Sequence, residues 1–201
     1  MRVTRKLNSL YKGIPVEEIS QNERKRLNLD EDAYTCGEIK FLPFYSLLSK
    51  ANPKSDEIFY DLGSGSGKAV LAAAAYFNFP KTCGIELLPA LTTLSQNQLK
   101  KANLKNPHSI QFINDNFLNY DFTEADIIFV NATCLNYSTW ENLVAKFKLL
   151  KKGSRLIVTT KKIKDEDFTL TYQGFTSMSW GVNTVNIYVK DKDSGSEPKN
   201  S

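Results

Sequence analysis

Residues 58–70 read IFYDLGSGSGKAV: a short apolar run closed by Asp61, glycines at 63, 65 and 67, then Lys68 and small residues. The change from a strand-like run to SGKAVLAAAAYFN puts a strand-to-helix turn on the glycines, and three ligand classes use such a turn. A phosphate-binding loop needs G-x-x-x-x-G-K-[ST]. Counted back from Gly67-Lys68, Leu62 takes the first glycine position and Ala69 the hydroxyl position, so that reading fails twice. The dinucleotide fingerprint G-x-G-x-x-G accommodates Gly63 and Gly65 but puts Lys68 where a third glycine lets helix and strand pack closely. What remains is D-L-G-S-G-S-G, an acid closing the strand and three glycines that let the backbone approach a ligand at the sheet edge. This is the form seen in S-adenosylmethionine binding, and a glycine-rich turn without a ligand is its bland alternative.

Working outward, short apolar runs alternate with helical patterns from about residue 56 to 160. EIFYDL precedes SGKAVLAAAAYFN, TCGIE precedes PALTTLSQNQLKKAN, SIQFIN and ADIIFVN follow, and TWENLVAKFKLL leads to RLIVTT. Such alternation predicts an α/β fold with a doubly wound, mostly parallel seven-stranded sheet. FTLTYQGFTSMSW and NTVNIYVK predict two further strands joined through a Gly-Val-Asn turn, an antiparallel C-terminal hairpin. Residues 1–40 form a polar lead in which VEEISQNERKRL, after Pro15, predicts a short accessory helix with acids first and bases last. The domain proper is expected over 41–190 and a disordered polar tail over 191–201.

The second strand ends in Glu86, where a carboxylate can accept hydrogen bonds from both hydroxyls of a ribose. After the third come Asn114-Asp115-Asn116-Phe117, polar groups at the height of an adenine edge and an aromatic face to stack on it. Asp115 as a turn cap and Phe117 as core are the alternatives.

The chain carries 201 residues, a net charge of +4 and three cysteines without C-x-x-C spacing. These numbers fit one globular domain with neither disulfide framework nor metal site, and the cysteines read as small buried residues. Basic residues at the N-terminus have no apolar segment behind them, and AVLAAAAYF is far short of a bilayer span. A cytoplasmic or nuclear monomer without membrane contact is expected, or a secreted effector exported without an N-terminal mark. The single histidine, His108, lies in a polar loop and reads as a surface residue.

Over residues 34–188 the chain resembles the non-SET lysine methyltransferases of the disruptor of telomeric silencing family, which methylate a lysine in the histone H3 core. The resemblance rests on Thr35-Cys36-Gly37-Glu38, DLGSGSGK, GIE, DNFL, IFVN ending in Asn131, VTTK ending in Lys161, and Ser179-Trp180. It implies that Cys36, Gly37, Glu38, Asp61, Gly63, Ser64, Gly65, Gly67, Lys68, Glu86, Asn116 and Phe117, with Asp115 beside them, bind S-adenosyl-L-methionine. It implies further that Asn131 stands beside the methyl group and Trp180 walls a narrow channel for the incoming lysine. No metal is expected, because methyl transfer from a sulfonium is an in-line displacement served by positioning and a dry channel. Cys36 replaces the family's tyrosine, Asn116 its aspartate, and its second channel aromatic falls nearer Ile187 than Tyr188. The long basic DNA-holding tract is also missing. The resemblance thus implies a protein substrate, histone or non-histone. Basic residues at Arg2, Arg5 and Lys6, at Arg24-Lys25-Arg26 and at Lys161, Lys162 and Lys164 offer a weak nucleic-acid contact. A nucleic-acid amine methyltransferase and a non-catalytic cofactor-binding scaffold are the alternatives. The first typically has Asn-Pro-Pro-Tyr where this chain has Asn131-Ala132-Thr133-Cys134.

Overall fold

A computed structural model describes residues 2–29 and 37–193. Helices α1 (Arg2–Leu10), α2 (Val16–Arg26) and α3 (Phe41–Lys50) precede an alternating series. The series runs β1 (Ile58–Leu62), α4 (Lys68–Phe77), β2 (Lys81–Glu86), α5 (Pro89–Ala102), β3 (Ile110–Asn114), β4 (Ile127–Val130), α6 (Tyr137–Phe147) and β5 (Arg155–Thr159). It ends in the hairpin β6 (Phe168–Met178) and β7 (Gly181–Lys190). The strands form one sheet in the order β3-β2-β1-β4-β5-β7-β6. Neighbours from β3 to β5 are parallel, and β7 is antiparallel to both β5 and β6. The expected seven-stranded, mostly parallel sheet is present. Its order reverses between β1 and β4, which opens a crevice beyond their carboxyl ends, where ligands of open α/β sheets bind.

The period-two alternation along each strand divides the core. Phe59, Ile127, Phe129 and Ile157 face one layer with α1, α3 and α4; Tyr60, Leu62, Ile128, Val130 and Leu156 face the other with α6. Asn78 and Asn103 close α4 and α5 in the left-handed conformation, the role asparagine shares with glycine at helix ends.

Several expectations change. The lead contains two helices, and its α1 is anchored by Leu7 and Tyr11 in the core. α3, unread in FLPFYSLLSK, is buried along Phe41, Phe44, Leu47 and Leu48, and its Pro43 stands in the first turn, where a missing N–H costs nothing. The lead also touches the sheet, because Ile39 bridges Met178 of the edge strand. The hairpin turn is Ser179-Trp180. Pairing runs on through Met178 and Gly181, so Gly181, Val182 and Asn183 belong to the strand. Burial of Met178 carries β6 that far and leaves a two-residue connection. Cys83 is a buried free thiol as expected, whereas Cys134 is disulfide-bonded. Arg24, expected on a basic surface, is 1% exposed, and its Nη1 donates to Ser20 Oγ at 3.1 Å. His108 is exposed. Most of the expected tail, 194–201, lies outside the described residues. No described helix is long and apolar enough to cross a membrane.

Candidate active site

A cavity of about 1200 Å³ opens at the crevice, lined by the glycine loop, Glu86, Phe117, Asn131 and Trp180, with α2 along one side. β1 delivers Asp61 to its floor. Asp61 pairs in register with Gly84 of β2, so no side chain from that strand position stands beside it. Glu86 ends β2. One of its oxygens accepts from the Gly65 N–H at 2.8 Å and the other from the Leu88 N–H at 2.9 Å. The acid expected from the sequence to meet a ribose therefore fixes the glycine loop, and it lines the cavity.

Glu38 reaches in from the segment before α3 and clamps the same loop. Its Oε1 accepts from the N–H of Ser66 at 2.9 Å and from the Ser66 hydroxyl, and its Oε2 meets Lys68 Nζ at 2.6 Å. Lys68 also lies 5.0 Å from the centre of the Tyr11 ring, whose hydroxyl donates to Ser66 O at 2.9 Å. Ser66 and Tyr11 are site-supporting residues that sequence reading missed. No motif marks a helix-end tyrosine 55 residues upstream of its partner.

Glu38, Gly63, Ser64, Gly65, Asn116, Phe117 and Gly37 all line the cavity. Asn116 Oδ1 accepts from the Leu118 N–H at 2.9 Å. Asp115 and Gly67 are not among the lining residues. The Asp115 carboxylate accepts from the Asn116 N–H at 2.7 Å, the turn-capping alternative. At Gly67, a Cβ would stand 2.7 Å from Phe112 and 3.0 Å from Ser95, so this glycine serves helix packing. Cys36 lies outside the described residues. Phe129, not singled out from the sequence, adds an aromatic wall from β4. Ile187 and Tyr188 are core residues, and the Tyr188 hydroxyl accepts from the Ile163 N–H at 3.2 Å.

Asn131 and Trp180, 49 positions apart in the chain, meet at Gly37. Asn131 Nδ2 donates to Gly37 O at 2.8 Å, while its Oδ1 accepts from the hydroxyls of Thr159 at 2.6 Å and Thr133 at 2.9 Å. The Trp180 ring lies on Gly37 so closely that a Cβ there would stand 1.9 Å from Cδ1. Trp180 remains 52% exposed at the mouth.

The electrostatics favour a cationic guest. Asp61 is 3% exposed and Glu86 9%. Burial, then the charges of Glu86 and Glu38, hold the Asp61 carboxyl well above the usual carboxylate range. Burial also raises Glu86, opposed by the N–H groups of Leu88 and Gly65. A sulfonium or ammonium set among these acids would relieve that penalty. The Ser64 hydroxyl is buried without a protein partner and Gly63 faces open space, so the cradle fits the ribose and methionine parts of S-adenosylmethionine.

A pH dependence follows, with its sign fixed by the raised carboxyls. In the ligand-free protein these two acids contribute stability below their unfolded pKa values that is lost as pH rises through the raised folded ones. A cationic ligand favours the ionised forms. Binding therefore releases protons, and affinity increases with pH across that interval. Calorimetry of S-adenosylmethionine binding in two buffers of different ionisation enthalpy should read net proton release at mildly acidic pH; proton uptake would contradict this account.

A parallel sheet reversing at a glycine turn, an acid on each of the first two strands and an antiparallel terminal hairpin define a Rossmann-like protein of the methyltransferase type. The same fold appears in an RNA methyltransferase from Salinibacter ruber in complex with S-adenosyl-L-homocysteine. The two share a TM-score of 0.62 and 20% identity, over 78% of this chain and 94% of that one.

Within that class, the family model described as histone methylation protein DOT1 matches residues 30–195, and the chain belongs to that family. It is similar to a histone-lysine N-methyltransferase, H3 lysine-79 specific, of Caenorhabditis elegans: 29% identical over 157 residues, 72% of this chain and 16% of the relative. A protein-lysine N-methyltransferase of Saccharolobus islandicus is 30% identical over 112 residues, 55% of this chain and 66% of that protein. The chain thus spans about a sixth of the first relative's length and about two thirds of the second's.

Proposed function

We propose that the chain is an S-adenosylmethionine-dependent protein lysine N-methyltransferase acting on a histone or another protein. The meeting of Asn131 and Trp180 over Gly37, at the mouth of an acid-lined cleft, carries the reading. When bound, the cofactor supplies an electrophilic methyl group on a sulfonium. Asp61 and Glu86 sit where its positive and ribose parts would lie, and Glu38 with Gly65 shapes the cradle. Trp180 offers an aromatic face to an alkylammonium, while Phe117 and Phe129 keep the interior apolar. A lysine drawn into such a channel loses hydration, which lowers its pKa toward the neutral, nucleophilic amine. Membership of the DOT1 family favours chromatin, hence a nuclear site of action. Neither the family nor the named relatives supports a secreted effector.

The test is incubation with labelled S-adenosylmethionine and, separately, nucleosomes and whole-cell protein, followed by acid hydrolysis. Methyl-lysine is expected. Label confined to RNA would replace this reading with a nucleic-acid methyltransferase, and cofactor binding without transfer would replace it with a scaffold.

Asn131→Ala has a consequence that its contacts sharpen. Because Nδ2 holds the carbonyl of Gly37, next to the Glu38 clamp, the substitution should lower turnover by about a hundredfold and also weaken cofactor binding to a smaller degree. Steady-state kinetics with calorimetric affinity would read the split; unchanged turnover would remove Asn131 from the reacting centre.

A further inference from the structure

The ends of β4, β5 and β7 are tied by a cluster of polar side chains at the side of the cleft away from the glycine loop. Thr133 Oγ lies 2.9 Å from Thr160 Oγ, Thr160 Oγ donates to Asn183 Oδ1 at 2.9 Å, and Asn183 Nδ2 donates back to Thr133 Oγ at 2.8 Å. Thr133 in turn donates to Asn131 Oδ1. Each hydroxyl has one proton: Thr160 gives its own to Asn183 and Thr133 gives its own to Asn131, so a chain of donors runs from Thr160 through Asn183 and Thr133 to Asn131, and the Thr133–Thr160 contact carries no proton. Two hydroxyl donors, from Thr133 and Thr159, fix Asn131 Oδ1 as the acceptor and leave its Nδ2 a single orientation, toward Gly37 O.

Thr160 is strained. It has φ +64°, rare for a β-branched residue, and stands at the centre of a three-residue turn closed by Lys161 N–H to Thr159 O at 2.6 Å. Its own N–H donates to Thr184 O at 3.0 Å, the residue after Asn183. Strain of this kind persists where surrounding contacts over-determine it. Here the contacts bind the end of β5 to β7, three positions beyond Trp180.

The path closes on itself. Asn183 lies in the strand that leaves the Trp180 turn; Trp180 lies on Gly37; Gly37 is held by Asn131; Asn131 is held by Thr133; Thr133 is held by Asn183. We infer that Thr160 and Asn183 are positioning residues that set the gap between the Trp180 ring and the Asn131 amide, the passage through which the substrate amine must reach the cleft. This rests on the methyltransferase reading for what passes the gap, but the geometry of the gap can be measured without any substrate.

The test uses the full chain with Trp140→Phe, leaving Trp180 as the one tryptophan. In that background, Thr160→Val removes the hydroxyl while keeping the branch, Asn183→Ala removes both its cluster contacts, and Thr160→Ser keeps the hydroxyl. Acrylamide quenching of Trp180 should increase in the first two and stay at the parent value in the third. On whichever protein fraction the unmodified chain methylates, kcat should fall about ten- to a hundredfold for Thr160→Val and Asn183→Ala. Cofactor affinity should change far less, because Thr159 still holds Asn131. Quenching unchanged in both variants overturns the inference whatever the activity does. Increased quenching with unchanged kcat overturns it as well, as does failure of Thr160→Ser to restore both. If the unmodified chain methylates no protein, the functional reading falls on its own and the quenching series still decides the circuit.

Discussion

Gly65→Arg abolishes S-adenosylmethionine binding, with a loss above about a thousandfold, or roughly 4 kcal/mol, while the melting temperature stays near that of the unmodified protein. Three effects act together. Gly65 has φ +54°, where an L side chain costs about 1–2 kcal/mol of backbone strain. Its Cβ position is 3.1 Å from Glu38 Oε1, so the new side chain grows directly into the acid-lined part of the cleft. A guanidinium there would pair with Glu38, Asp61 and Glu86, filling the volume and neutralising the charge that a sulfonium would use. The ion pairing offsets the strain, which is why binding is lost and the fold is kept. Gly63→Ala sets the scale: φ is +80°, no protein atom lies within 4 Å of its Cβ position, and the added methyl enters space left to the cofactor. It should cost stability and weaken affinity, by less than Gly65→Arg. Unchanged affinity in Gly65→Arg by calorimetry would move the cofactor away from this loop.

The sheet was readable because its strands are short apolar runs in a fixed rhythm and each helix follows its strand. The hairpin turn was misplaced because Gly181 and Asn183 carry turn-like side chains, whereas burial of Met178 decides where pairing ends. α3 is hidden in FLPFYSLLSK because Pro43 and the exposed apolar Leu42 and Tyr45 blur the helical spacing of Phe41, Phe44, Leu47 and Leu48. For the site, the strand-end acids Asp61 and Glu86 and the glycines 63 and 65 line the cleft where their places in the sequence put them. Asp115 and Gly67, expected beside the ligand as a polar group and a loop glycine, do not line the cleft: Asp115 caps the turn at Asn116 and Gly67 leaves α4 room beside Phe112 and Ser95. Ser66, Tyr11, Thr159, Thr133, Thr160 and Asn183 carry no signal in the sequence. Each is an ordinary polar residue whose role comes from a partner 20 or more positions away, and no local pattern records such a pairing. The same holds for α2, whose place at the cleft no local pattern marks. It lines the cleft and docks on the start of α5 through Glu23, which accepts from the Ala90 N–H at 3.2 Å.

Glu86→Gln distinguishes the two duties of the second-strand acid, and its expected effect is large for so small a change. Both carboxylate oxygens accept backbone N–H groups, from Gly65 and from Leu88. A glutamine has one oxygen to give; whichever way its amide turns, an NH₂ faces one of those donors. That buried N–H goes unsatisfied, at about 1–3 kcal/mol, so the melting temperature should fall even without ligand. The ribose then meets a group that has lost its charge and half its accepting capacity, and hydrogen bonds to a charged acceptor are worth about 1.5–3 kcal/mol. Cofactor affinity should therefore drop by a further ten- to about a hundredfold beyond any effect of loop disorder. The comparison with pH separates the terms. Burial already raises the Glu86 pKa, and glutamine imitates the neutral acid in charge but not in its capacity to donate through O–H. If charge is what the cofactor reads, Glu86→Gln should bind at neutral pH as weakly as the unmodified protein does at acidic pH, and should release fewer protons on binding. If affinity is unchanged while the melting temperature falls, Glu86 is a loop clamp alone, and the adenosine must find its ribose contact elsewhere along β2.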